Sequence, residues 1–207
     1  MTPKVVAARA ALALSTLAAP TSADVAVRPP ACRRAAVAIA IDRSGSMTGR
    51  KLDDAKSAAS AVVDRLGAND CVTVLEFDST PTTVVPLQAL SNPTAVKAAI
   101  LRVQAGGGTE FLPALDAARL ALENATASKK HVLFLSDGQA PAAGLQQLAR
   151  TMSRDHITIS TVALGSDADR STLAMLSTTA GGRAYVVPDS STLPHVFVRD
   201  IDALLAP

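Results

Sequence analysis

VAIAIDRSGSMTGRKLDDAKSAASAVVDRLG, residues 37–67, is the stretch on which the fold turns. Val37 to Ile41 is a short, continuous apolar run that stops at a polar loop, the pattern of a strand buried on both faces of a parallel sheet. After the loop, Leu52, Ala55, Ala59, Val62, Val63 and Leu66 recur at helical spacing, opposed by Lys51, Asp53, Asp54, Lys56 and Asp64. That is an amphipathic helix, with Gly67 expected as its C-cap. A buried strand, a polar loop and a covering helix together open an α/β unit, in which ligands collect where strands end.

The same alternation continues outward. Cys71 to Phe77 and Thr82 to Leu87 read as strands joined at Asp78-Ser-Thr-Pro81, a hairpin that adds one antiparallel edge strand, and Pro81 and Pro86 suit an edge. Asn92-Pro93 is an N-cap followed by an N1 proline, opening a helix expected to run to about Val103 before Gly106-Gly107-Gly108 breaks the chain. A helix from about Leu112 to Asn124 follows. His131 to Leu135 is a second buried strand ending in polar Ser136-Asp137-Gly138, with Leu145, Leu148, Ala149 and Met152 marking the next helix. Ile157 to Leu164, a helix at about 169–179 closing on Gly181-Gly182, Tyr185 to Val187, and a last helix burying Leu193, Val196, Phe197, Ile201, Leu204 and Leu205 complete the series. The expected architecture is α/β and Rossmann-like: a mostly parallel central sheet with one antiparallel edge strand and helices on both faces.

The N-terminus differs from this body. Lys4 and Arg9 precede a mainly apolar stretch from Ala10 to Ala19, Pro20 breaks it, and Thr21-Ser22-Ala23 offers the small residues a signal peptidase needs. Residues 1–23 are therefore expected to be a signal peptide, 24–35 a linker and 36–205 the folded domain, placing the mature protein outside the cytoplasm. The chain's close after its last helix fits either a fragment of a longer protein or a shortened relative. Cys32 and Cys71 match no metal-ligand spacing; they are either an oxidisable pair in an exported protein or two isolated buried thiols.

Composition narrows the function. The chain has 207 residues, 48% hydrophobic and 18% charged, enough for one real core. Without Lys4 and Arg9, 18 basic residues face 18 acidic ones, so there is no basic footprint, and four Phe, one Tyr and no Trp leave little for base stacking. Nucleic acid is not an expected partner. No run of 18 apolar residues reads as a membrane span.

Three polar clusters fall at strand ends or adjoining loops: Asp42-Arg43-Ser44-Gly45-Ser46, Gly106-Gly107-Gly108-Thr109 and Ser136-Asp137-Gly138. Converged on one crevice, they offer two carboxylates and three hydroxyls. Such an all-oxygen set suits a hard divalent cation, and the glycines let the Thr109 backbone approach closely.

These residues, in this order and relation to the strands, resemble those of a von Willebrand factor type A domain over residues 36–205. Asp42-x-Ser44-x-Ser46, Thr109 and Asp137 match each position of that family's metal-ion-dependent adhesion site. The resemblance implies binding rather than catalysis: Mg²⁺ or Mn²⁺ held directly by Ser44, Ser46 and Thr109, with Asp42 and Asp137 acting directly or through water. A partner protein's Asp or Glu would then complete the coordination. Arg43 and Glu110, beside these ligands, are candidates for a rim that tunes partner choice, or plain solvated loop side chains. Ile-Asp-Arg-Ser-Gly-Ser-Met and Leu-Pro-His-Val-Phe-Val-Arg are closer to bacterial membrane-associated members than to integrins, so a part in a larger membrane-associated or chelatase-like ATPase assembly is the alternative.

Enzymatic readings fare worse. Haloacid-dehalogenase-like phosphatases carry a second Asp two residues after the nucleophile, where this chain has Ser44, and a hydroxyl cannot act as that general acid. No P-loop, no G-x-G-x-x-G and no Gly-x-Ser-x-Gly elbow occurs, so no nucleotide is expected. His131, His156 and His195 have no metal spacing and read as surface or internally satisfied residues.

Overall fold

The computed structural model describes residues 32–206, so the expected signal peptide and all but the end of the expected linker lie outside the described residues. The apolar run at 37–41 becomes the middle of β1 (Ala35–Asp42), every residue of which is buried. Then come α1 (Arg50–Arg65), β2 (Cys71–Phe77), β3 (Pro81–Ala89), α2 (Pro93–Ile100), α3 (Phe111–Glu123) and β4 (Lys129–Ser136). The chain continues through α4 (Leu145–Arg154), β5 (Ile157–Leu164), α5 (Arg170–Ala180), β6 (Ala184–Val187) and α6 (Leu193–Leu205). Among the described residues, no helix is long and apolar enough to cross a membrane.

The six strands form one sheet in the order β3-β2-β1-β4-β5-β6, with β2–β3 antiparallel and the other pairs parallel. This is the expected α/β architecture. From β1 the chain crosses to β2 on one side, while from β4 it crosses to β5 on the other. The ends of adjacent β1 and β4 thus flank a topological switch point, where successive crossovers diverge and α/β folds form their ligand crevice.

β1 shows how the sequence divides the core. Val37, Ile39 and Ile41 point to the layer containing α1 and α6, and Ala36, Ala38 and Ala40 to the layer containing α3, α4 and α5. The alanines leave room for three aromatic rings: Phe77 stacks on Phe134 at 4.7 Å, and Phe111 meets both edge-on at 6.3 and 5.3 Å. Phe111 opens α3 directly after the Gly106–Thr109 loop, so this packing anchors that loop to the sheet.

Several boundaries differ from expectation. Leu66, not Gly67, is the C-cap of α1; Gly67 instead donates its N–H to Asp70 Oδ2. α2 stops at Ile100 because the chain tightens into i→i−3 bonds, Arg102 N–H to Ala99 and Val103 N–H to Ile100. On α6, Leu193, Phe197 and Ile201 are buried as expected, while Val196, Leu204 and Leu205 are half-buried.

The end of the expected linker belongs to the folded body. Cys32 is buried and disulfide-bonded to Cys71, the first residue of β2, which settles the two open readings of the cysteines in favour of the pair. Arg33 and Arg34 donate their N–H groups to Asn69, and Ala35 donates to Asp70. Burial pushes the Asp70 carboxyl up, but the bonds from Arg34, Gly67 and Ala35 outweigh it and hold it below its ordinary value.

Of the two readings open for the histidines, surface or internally satisfied, His131 takes the second. Its Nε2 lies 2.8 Å from Asp200 on α6 and its Nδ1 2.7 Å from Thr158, at the end of the sheet opposite the crevice. Asp200 also accepts from Ser160, Tyr185 and Arg183, so one buried carboxylate ties α6 to three strands and the β5–β6 connection.

Candidate metal centre

Asp42 ends β1 with its carboxylate fully buried. Oδ1 accepts the Ser44 N–H at 2.8 Å, an Asx-type turn that bends the chain as it leaves the sheet, and Oδ2 accepts the Ser136 hydroxyl at 2.5 Å from the end of β4. Burial pushes the Asp42 carboxyl above its ordinary value; the Ser136 and Ser44 bonds offset part of this, and the nearby Asp137 charge adds to it. The loop continues as a single 3₁₀ turn, Gly45–Met47, pinned by the buried Met47 side chain.

That turn sets the serines in line. Ser44 Oγ lies 3.1 Å from Ser46 Oγ, which donates to Asp137 Oδ1 at 2.6 Å. The other oxygen of Asp137 faces Lys51 Nζ at 2.5 Å. Two loops remote in sequence thus close on each other through side chains alone.

The glycine loop is fastened by its backbone. Gly45 N–H donates to the Gly107 carbonyl at 3.1 Å, and Gly106 N–H to the Arg43 carbonyl at 2.7 Å. Gly107 has φ +85°, and a Cβ there would stand 2.6 Å from Asp78 Oδ2, so both conformation and space require glycine. Thr109 is half-buried against the third loop: a Cβ on Gly138 would lie 3.3 Å from its Oγ1. All five residues singled out from the sequence therefore gather at the β1–β4 switch point.

Arg43 is half-buried and held in ion pairs rather than freely solvated. Its guanidinium pairs with Asp78 at 2.5 Å and Glu76 at 3.6 Å and donates to the carbonyl of Gln104, just before the glycine loop. Glu110 is the N-cap residue of α3, its N–H bonded to the Asp78 carbonyl. Sequence reasoning missed three contributors. Ser136 stood beside Asp137 but carried no assigned role, Asp78 read as part of a turn, and Lys51 read as one charge on a solvated helix face.

The donor set can be tested against a cation by its chemistry. Among the described residues, no three His, Cys, Asp or Glu side chains are grouped to hold a metal. Any cation in this crevice would rest on two carboxylates and hydroxyls, an oxygen set that fits Mg²⁺ or Mn²⁺ better than the nitrogen and sulfur preference of Zn²⁺. The ammonium of Lys51 already stands against Asp137, so the crevice accommodates positive charge. The residues fit.

Comparison with known proteins agrees on the fold. An uncharacterised protein of Synechocystis sp. is 29% identical over 166 residues, which cover 77% of this chain and 39% of that protein. The chain thus spans about two fifths of this relative's length. The solved von Willebrand factor type A protein of Catenulispora acidiphila matches with a TM-score of 0.78 at 24% identity, over 84% of this chain and 43% of its own. Proximal thread matrix protein 1 of the mussel byssus, solved with zinc in its metal-ion-dependent adhesion site, matches with a TM-score of 0.70 at 19% identity, over 84% of this chain and 47% of its own. A model of the von Willebrand factor type A domain matches residues 36–199, and the chain belongs to that family.

Proposed function

We propose that this chain is a non-enzymatic, exported binding module whose crevice takes Mg²⁺ or Mn²⁺ on Asp42, Ser44, Ser46, Thr109 and Asp137, and through it a carboxylate of a partner protein. The family favours this in general terms, since type A domains commonly mediate protein interactions. What carries it here is the contact chain Ser44 Oγ–Ser46 Oγ–Asp137 Oδ1 beside a buried Asp42. These are oxygen donors from separate elements, converged without a nucleophile–base pair among them. When bound, the cation supplies a positive charge to which an Asp or Glu side chain of the partner is drawn.

The chain's own groups have distinct parts. Ser44 N–H and Ser136 Oγ hold the Asp42 carboxylate in one orientation. Ser46 orients Asp137, and the Gly45–Gly107 and Gly106–Arg43 bonds hold the loop that carries Thr109. Export through a signal at 1–23, followed by a short tether, is supported by the Cys32–Cys71 disulfide, a bond that persists in oxidising compartments.

Melting curves of EDTA-stripped protein, with and without Mg²⁺, Mn²⁺ or Zn²⁺, test the site. Native-state binding stabilises by RT ln(1 + [L]/Kd), about 2.7 kcal/mol at a hundredfold excess over Kd. Wild type should gain that increment with Mg²⁺ or Mn²⁺, and Asp42→Ala should lose it while remaining folded. Partner capture should follow the same pattern. Identical melting with and without every metal, together with capture unaffected by EDTA, refutes the reading.

A further inference from the structure

Lys51 is the second residue of α1, the helix that follows the Asp42–Ser46 loop, and its ammonium bonds Asp137 Oδ2 while Ser46 holds Oδ1. The Asp137 side chain is wholly buried, whereas that of Lys51 is 40% exposed. Among the described residues, no other cation forms an ion pair with either crevice carboxylate: Asp42 is met by an N–H and a hydroxyl, and nearby Arg43 is committed to Asp78 and Glu76. Of the two buried carboxylates, Asp137 alone has a positive partner among the described residues, and that partner is carried on a flexible stem.

We propose that Lys51 is a built-in competitor for the cation, its ammonium occupying Asp137 in the metal-free protein and yielding that carboxylate when the cation is bound. The inference rests on the metal-site reading above. An ammonium and a divalent ion seek the same carboxylate lone pairs, so whatever fraction of molecules keeps the Lys51–Asp137 pair lowers the apparent metal affinity in proportion. Lysine suits the part. Its charge is compact, its four-carbon stem rotates freely, and partial exposure opens a way to water without backbone movement. Arginine in its place would grip the carboxylate through a planar two-pronged contact and yield less readily.

The competition predicts two effects of opposite sign. In Lys51→Met, which keeps most of the stem and removes the charge, Mg²⁺ and Mn²⁺ should bind about tenfold more tightly. That exceeds the upper end, about fivefold, for a fully exposed pair, because Asp137 is buried. The same variant in EDTA should melt below wild type, since Asp137 has lost its counter-ion. A structural role alone would weaken metal binding and stability together.

The test is calorimetric titration of the EDTA-stripped full chain with MgCl₂ and with MnCl₂, alongside melting in EDTA, for wild type, Lys51→Met, Lys51→Gln and Lys51→Arg. Tighter binding in both neutral variants, lower metal-free melting temperatures, and binding no tighter than wild type in Lys51→Arg support the competitor. Equal or weaker binding in Lys51→Met and Lys51→Gln overturns it while leaving the metal site standing. Absence of binding in every form, wild type included, overturns the metal-site reading and this inference with it.

Discussion

Breaking the Cys32–Cys71 bond gives the most quantitative test of how the described body is held together. The cysteines are 39 residues apart in sequence. Cross-linking a loop of that length removes about 13 cal/mol/K of chain entropy from the unfolded state, or about 4 kcal/mol at 25 °C. At about 2.1 cal/mol/K of unfolding entropy per residue over residues 32–206, that corresponds to a fall of about 10 °C in melting temperature. Both cysteines are buried, so the substitution should be Cys32→Ala with Cys71→Ala, which avoids burying a hydroxyl without a partner. The chain has no Trp and one Tyr, so far-UV circular dichroism is the better probe of urea unfolding. Oxidised wild type, wild type in reductant and the double variant should give midpoints in which the latter two coincide well below the first. The reduced forms should also show a steeper denaturant dependence, because their unfolded chains expose more surface. Coincident midpoints for all three, or two titratable thiols in the denatured, unreduced protein, would refute the reasoning.

Two further outcomes follow from particular contacts. Gly107→Ala places a Cβ at φ +85° and 2.6 Å from Asp78 Oδ2, so it should cost about 3 kcal/mol in urea unfolding and weaken Mg²⁺ binding by displacing the Thr109 loop. Burial pushes the Asp200 carboxyl up, but His131, Ser160 and Tyr185 together hold it below its ordinary value. Its contribution to stability is therefore complete above about pH 4 and lost as pH falls through the lowered value. Asp200→Asn should remove that part of the acid sensitivity, read from unfolding midpoints across the acid range, and an unchanged acid slope would discount the network.

The sequence by itself determined the elements and pointed to the five candidate ligands, because those signals are local. The apolar run of β1, the helical spacing of α1 and the Asn92-Pro93 start of α2 depend on neighbours a few residues away, and Asn92 does accept the Ala95 N–H as an N-cap should. The motif Asp42-x-Ser44-x-Ser46 is local in the same sense: its spacing alone lets one tight loop present three oxygens. Thr109 and Asp137 were legible as polar residues at element ends, where an α/β fold collects ligands.

Only the tertiary structure decided which distant groups meet. Lys51 and Asp137 are 86 residues apart and Asp42 and Ser136 are 94 apart; they touch because strand order sets β1 beside β4, a choice made by the direction of the crossovers. The parallel pairing of β1 with β2 set Arg43 against Asp78, and its Ala36–Cys71 register brought Cys32 within bonding reach of its partner. Helix and strand periodicity records which face of an element is buried, but not what lies across from it. A charge on a helix face, such as Lys51, therefore looks the same in sequence whether it meets water or a buried carboxylate.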